Sequence, residues 1–249
     1  MKIGIVIPVY NGKRYLANAV ESVIDQSYTD WELLLVNDGS TDGSDVLAET
    51  LATRDPRIHV VHEPNGGVAT ARNAGLHALS DDCASVAFLD QDDIWYPESL
   101  MTMQLLLVGN PCASTAHGTY QLMDAAGRPK MQSDREILHR GRWGFEGMRL
   151  VRWPSERPTT FNVLAFMNPL ITLGLVLIRR SALLGAGGFD QLIAPADDWD
   201  LWLRLGHGGH FAYTDSAVLG YRLHDANQSS RLKVMQSVRS AESMHAPLP

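Results

Sequence analysis

Apolar, largely β-branched residues open the chain in one unbroken run, IGIVIPV at 3–9, the pattern of a strand buried on both faces. The spacing then changes to that of a helix. Leu16, Ala19, Val20, Val23 and Ile24 fall at i, i+3, i+4, i+7 and i+8 and make one apolar face, with Asn11 expected as its cap. WELLLVND predicts a second strand that stops at Asn37, Asp38 and Gly39. A helix through DVLAETLA, a strand in IHVVHE, a helix through VATARNAGLHAL, a strand in SVAFLD and a helix through PESLMTMQLLL continue the alternation. Strands alternating with helices imply parallel pairing through right-handed crossovers, so residues 1–110 read as a doubly wound α/β sheet. Sheets of this kind bind ligands beyond the carboxyl ends of their strands, which directs PVYNG, VNDGSTDG and FLDQDD toward one crevice.

Past residue 110 the rhythm loosens. REILHRGRWGFEGMRLVRWPSERP has no clear period and is expected to supply loop and short elements laid over the first half. FNVLAFMNPLITLGLVLI, 161–178, has the length of a short membrane span, but Asn168, Pro169 and Gly174 interrupt it. A buried loop leading into a strand at TLGLVLI is the stronger reading, with shallow attachment at a membrane surface as the alternative. DDWDLWLRLG predicts a helix, and FAYTD and AVLGYRL predict closing strands. Nothing in the composition cuts the chain, so one domain is expected over 1–230, with 231–249 as a C-terminal tail.

With 45% hydrophobic residues in 249, the chain can build a sizeable core. A formal charge of -7 argues against nucleic acid as a partner, because wrapping phosphates calls for basic patches. Cys83 and Cys112 are too far apart for a CxxC pair and read as reduced thiols of a cytoplasmic protein. The amino terminus breaks at Pro8 and reads as a strand, not a signal peptide.

Candidate chemistry gathers where the fourth predicted strand ends, in AFLDQDDIW at 87–95. Asp90 and Asp92 at a turn can reach toward one hard cation, with a diphosphate completing the coordination. The plainer reading is an exposed acidic turn that caps the next helix. A calcium loop counted from Asp90 would need glycine sixth and glutamate twelfth, where the chain has Trp95 and Met101. No GxxxxGK[ST] occurs, PVYNGKRY takes the place of GxGxxG, and Thr41 sits where GxSxG would need serine.

In order and spacing, IVIPVYNG, LLLVNDGSTDGS, NGGVATARNAG, FLDQDD, GGFD, ADDWDLWLRL and YRLHDAN resemble the inverting glycosyltransferases of family 2, over residues 3 to about 230. The resemblance implies the GT-A fold, a Rossmann-like mixed sheet flanked by helices in a single α/β domain. Residues 1–110 would be its nucleotide-sugar half and 111–230 its acceptor and catalytic half. It implies that Pro8 and Tyr10 meet the nucleotide, with Tyr10 stacking on the base, and that Asp38 recognises that base. Asn37 departs from the family's usual aspartate at the position before. Arg72 is implied on the nucleotide side, with an ordinary solvated helix arginine as the alternative. Asp90 would lie near the ribose or the metal's waters. Asp92 and His224 would hold Mg²⁺ or Mn²⁺ against the donor diphosphate, a satisfied structural histidine being the alternative for His224. Asp198 would be the catalytic base, although first-turn carboxylates are also favoured by the helix dipole alone.

The implied reaction moves a sugar, from a UDP-sugar by preference, to a hydroxyl of a sugar, lipid-linked or small-molecule acceptor, as in polysaccharide or glycolipid synthesis. The implied setting is cytoplasmic, with peripheral contact at the inner face of a membrane allowed. Without a cation, mutual repulsion is expected to leave the acidic turn mobile. Two readings of other classes stand beside this one: a nucleotide-binding module that has lost turnover, and a nucleotidyltransferase.

Overall fold

The structure is a computed structural model that describes residues 1–131, 141–193 and 196–225. The opening apolar run forms β1, Ile3–Val9, and the second run forms β2, Trp31–Asp38, with every residue of both strands buried. They pair in parallel, Ile3 opposite Trp31 through Val9 opposite Asn37. β3, Ile58–Glu63, lies on the outer side of β2, and β4, Ser85–Phe88, on the other side of β1, all four parallel. Helices α1, Leu16–Ile24, α2, Ser44–Ala52, and α3, Val68–Ala78, make the crossovers. The expected stripe on α1 is realised in Leu16, Ala19, Val20 and Val23, all buried.

The second half completes the sheet with mixed polarity. After the two-residue β5, Ile94–Trp95, and α4, Ser99–Gly109, the chain forms β6, Ala113–Met123, a strand the sequence pattern did not announce. Its period is blurred by small and polar residues such as Ser114, Thr115, His117 and Gly118. Residues 143–152, expected as loop, form a hairpin of β7, Trp143–Glu146, and β8, Arg149–Arg152. Phe161–Phe166, expected as buried loop, forms the short helix α5. A 3₁₀ turn at Leu173–Leu175 leads into β9, Val176–Arg179, and then α6, Arg180–Gly185. α7 spans Asp197–Gly208, and the two expected closing strands are one strand, β10, His210–Arg222. β10 absorbs exposed Asp215, Ser216 and Ala217 through register shifts against β6, which explains why its two ends looked separate.

The eight-stranded sheet runs β3-β2-β1-β4-β9-β6-β10-β5, and β9 lies antiparallel between β4 and β6. One buried cluster runs through both halves, from Ile5 and Val36 to Leu177, Trp202 and Leu219. Among the described residues no helix is long and apolar enough to cross a membrane. The expected tail, 231–249, lies outside the described residues, as does NQS at 227–229, which has the form of a glycosylation sequon.

Candidate active site

β1, β2 and β4 end side by side, and the polar residues after each are tied to one another. Tyr10, after β1, keeps its ring 49% exposed while its backbone is fixed. Its N–H donates to Gln91 Oε1 at 3.0 Å, and its carbonyl accepts from Gln91 Nε2 at 3.0 Å. Gly12 makes room for that pairing, since a Cβ there would lie 1.9 Å from Gln91 Oε1. Pro8 is buried within β1 opposite Val36. Asn11 does not cap α1, whose N-cap is Tyr15; with φ of 49° its side-chain oxygen accepts from the Thr41 N–H at 2.8 Å, fastening the end of β1 to the turn after β2.

At the end of β2, Asp38 is 3% exposed and its two oxygens accept from the backbone N–H groups of Gly66 and Gly67 at 2.7 and 3.0 Å. The NGG turn before α3 is thereby hung on Asp38. Gly67 sits at φ of 88°, a left-handed conformation that disfavours side chains. Asn37 accepts from the Ser40 N–H at 3.1 Å and pairs through Nδ2 with His62 Nδ1 at 3.1 Å, a contact that explains why an amide serves at this position.

In the acidic turn after β4 each carboxylate has its own partner. Asp90 accepts from Arg72 at 3.0 Å and from the Thr172 hydroxyl at 2.9 Å. Asp92 Oδ2 lies 2.8 Å from His224 Nε2. Asp93 is 1% exposed and accepts from the Arg222 N–H at 2.8 Å, while Arg222 Nε donates to the Asp92 carbonyl at 2.7 Å. The Arg222 guanidinium lies 4.8 Å from the centre of the Tyr15 ring, which stacks at 4.8 Å on His224. The end of β10 thus clamps the turn from one side.

Burial, then the charge of Asp90, raises the Asp92 carboxyl, and the His224 contact offsets part of this. Burial, then Asp92 and Asp90, push Asp93 well above the usual carboxylate range, with its Oδ2 unpaired among the described residues. Of the three carboxylates, Asp90 and Asp92 are part-exposed while Asp93 is buried.

On the other side stands the first turn of α7. Leu201, Trp202 and Leu205 hold this helix to the core, and Asp197 is buried with them. Arg72, 7% exposed, bridges the two sides: Nη1 donates to Asp197 at 2.8 Å and Nη2 to Asp90 at 3.0 Å. The solvated helix arginine is thereby excluded. Asp198, the next residue, is half-buried and accepts from the Trp199 N–H at 2.6 Å. Burial raises its carboxyl to about 6, and Arg72 pulls in the opposite direction. Asp200 faces away from it, bound to Arg204 at 2.8 and 2.6 Å and lining a cleft of about 510 Å³ with Gly188, Phe189 and Asp190.

The structure thus gathers Tyr10, Asp38, Arg72, Asp90, Asp92, Asp198 and His224 around connected loops, with Pro8 beneath them in β1. Sequence reasoning missed Gln91, Thr172, Asp197 as an ion-pair partner, and Arg222. Of these, Gln91, Asp197 and Arg222 lay within quoted motifs; Thr172 carried no signal.

A cation placed at Asp92 and His224 would find only two protein ligands, and among the described residues no group of three or more His, Cys, Asp or Glu side chains is placed to hold a metal ion. That donor set suits a hard cation shared with the oxygens of a bound diphosphate.

The family model for Glycosyl transferase family 2 matches residues 4–183. An uncharacterized glycosyltransferase of Rickettsia felis is 26% identical over 234 residues, covering 92% of this chain and 35% of that protein. A putative teichuronic acid biosynthesis glycosyltransferase of Bacillus subtilis, TuaG, is 38% identical over 128 residues, covering 51% of this chain and 50% of that protein. This chain therefore spans between about a third and a half of the length of these two curated relatives, 35% and 50%. Among solved structures, S. aureus TarS 1-349 in complex with UDP-GlcNAc superposes with a TM-score of 0.69 at 18% identity, covering 100% of this chain and 68% of that chain. The mannosyltransferase PcManGT of Pyrobaculum calidifontis, in complex with GDP-Man and Mn²⁺, gives 0.68 at 16% identity, covering 99% and 65%. These likenesses establish the fold as that of the GT-A glycosyltransferases.

Proposed function

Because this chain belongs to glycosyl transferase family 2, we propose that it transfers a sugar from a nucleoside diphosphate donor, a UDP-sugar by preference, to an acceptor hydroxyl with inversion at the anomeric carbon. One observation carries this reading: Arg72 ties Asp90, in the turn that carries the Asp92–His224 pair, to Asp197, the residue before Asp198, so that two carboxylate stations of different character are joined through one side chain. Inverting transfer is a single displacement and needs no nucleophile from the enzyme. It needs a base for the acceptor proton and positive charge for the departing diphosphate.

Asp198 suits the first role. With its carboxyl at about 6 it is ionised at neutral pH and basic enough to take a proton as the hydroxyl attacks. Asp92 and His224 would hold Mg²⁺ or Mn²⁺, which when bound neutralises charge on the leaving diphosphate. Tyr10 offers an exposed ring for the base, and Asp38, through the NGG turn, shapes the wall beside it. Arg72 orients both stations through Asp90 and Asp197. A structural relative holding UDP-GlcNAc and another holding GDP-Man with Mn²⁺ support a nucleotide-sugar donor.

Calorimetric titration of UDP, GDP, dTDP and CDP, each with and without Mn²⁺, tests the reading. Metal-dependent binding of one nucleotide is expected, followed by hydrolysis or transfer of the matching sugar donor. Binding of none would refute it, and binding without turnover on any donor would leave a nucleotide-binding module.

A further inference from the structure

The β7–β8 hairpin stands outside the eight-stranded sheet and has two unlike faces. Gly144 turns one face toward the body, where an added Cβ would lie 3.0 Å from the Trp153 ring and 3.1 Å from Val163. Strand side chains alternate between faces, so the register that sets Phe145 opposite Leu150 and Trp143 opposite Arg152 puts these four on the other face. Phe145 and Leu150 are each 47% exposed, and Met148 at the tip is 98% exposed.

The apolar strip continues onto α5, where Phe166, 39% exposed, meets Phe145 edge to face at 5.0 Å. From α5 it reaches the catalytic side. The Trp199 indole donates to the Leu164 carbonyl at 2.8 Å, and Trp199 directly follows Asp198. Single exposed apolar side chains are ordinary, but a connected strip beside a reactive carboxylate is an interaction surface.

Charge selects the occupant. The chain carries a formal -7, yet exposed Arg152 shares this face, exposed Arg149 follows the tip on the opposite face, and Glu146, opposite Arg149, is paired with Arg157 at 2.6 Å. Apolar side chains at a narrow tip with arginines beside them match an anionic bilayer surface, where the former enter the head-group region and the latter meet lipid phosphates. The ladder between β7 and β8 pairs only the backbone groups between the two strands and leaves both outer edges open, so the hairpin is suited to the hydrated head-group region and not to the hydrocarbon core.

We propose that Phe145, Met148, Leu150 and Phe166, with Arg152 on the same face and Arg149 beside the tip, dock this protein on an anionic lipid bilayer with the Asp198 side of the crevice facing the membrane. The surface stands without the transfer reaction. The acceptor class it implies, a hydroxyl on a membrane-bound carrier, rests on the function proposed above.

The test is sedimentation of the full chain with vesicles of phosphatidylcholine, with and without phosphatidylglycerol. Binding is expected on the anionic vesicles only, weakened by salt. Met148→Asp, and separately Arg149→Glu with Arg152→Glu, should each weaken it on the order of tenfold while leaving nucleotide binding by calorimetry unchanged. Absence of binding to anionic vesicles by the parent chain overturns the proposal, as do variants that bind as well as the parent. A dimer in solution that Met148→Asp converts to monomer would reassign the strip to self-association. Vesicle binding without glycosyl transfer would sink the reaction and leave the surface standing.

Discussion

Replacing Arg72 with methionine should reveal how much of the site depends on one side chain. Its guanidinium is 8% exposed and faces Asp197, 3% exposed, and Asp90, 29% exposed. Methionine keeps much of the apolar stem but leaves both carboxylates without their cation. Asp90 retains the Thr172 hydroxyl and its 29% exposure, so the larger cost falls on Asp197, which is left in the core without its cation. Removing one partner of a buried pair costs about 3–5 kcal/mol. For a chain of this size that corresponds to a fall in Tm on the order of 10 °C. Arg72→Lys should fall between, since an ammonium cannot serve two carboxylates with a planar fork. Urea unfolding followed by tryptophan fluorescence measures the loss. A loss below about 1 kcal/mol, the scale of an exposed pair, would refute the bridge as drawn. The second readout is functional. Arg72 holds the Asp198 carboxyl lower than burial alone would, so its removal should move the acid limb of the kcat profile to higher pH. If stability falls while the limb stays in place, Arg72 braces the fold without tuning the base.

Asp198→Asn should retain donor affinity and lose transfer by about 10²–10⁴-fold, the range for a general base; near-normal turnover would remove it from that role. In the parent chain, activity should fall as pH drops through about 6, because the base works only when ionised. Asp92→Asn should abolish the Mn²⁺ dependence of nucleotide binding in calorimetry, and an undiminished dependence would displace the metal from this turn. Away from the site, burial would raise Glu32, but hydrogen bonds from the Ser80 hydroxyl, Lys2, the Cys83 thiol and the Ser80 N–H outweigh it and hold the carboxyl at about 2 against an ordinary 4.5. Its stabilisation is therefore complete above 4.5 and lost as pH falls toward 2. Glu32→Gln should flatten the stability profile in that window, as measured by urea midpoints.

The first half of the chain was legible because its strands are buried on both faces and its helices show a clean stripe, so hydrophobic period and secondary structure coincide in Ile3–Val9, Trp31–Asp38 and Leu16–Ile24. The second half was not, for a physical reason visible in β6. There His117 is buried against the Thr159 hydroxyl at 2.7 Å, and Thr115 is fully buried. Polar residues satisfied inside a core erase the alternation that marks a strand. The site followed the same division. Motif residues at strand ends, Tyr10, Asp38, Asp90 and Asp92, could be placed from topology alone. The links between them could not, because Arg72 joins Asp197 across 125 positions and Thr172 joins Asp90 across 82, separations without any local pattern. Asn11 misled for a related reason: a residue suited to capping a helix is equally suited to bridging two loops.

Those long-range links also explain how so much negative charge stands at the rim of the core. Three carboxylates within four residues would repel one another, and Asp92 and Asp93 are raised first by burial and then by that repulsion. The fold divides the load unequally. Asp90 is offset by a buried arginine, Asp92 by a histidine, and Asp93 by a backbone N–H with burial favouring its neutral form. Asp92 is the member whose partner is neither a permanent cation nor part of the backbone, and it keeps 23% of its side chain exposed. It is therefore the carboxylate best able to accept an incoming cation without disturbing the core, whereas Asp90 is committed through Arg72 to the helix that carries Asp198. On the function proposed here, donor-side charge and the acceptor-side base are thus mechanically joined. Any ligand that changes the field at the turn acts on Asp90 and Arg72, and through Asp197 on the first turn of α7.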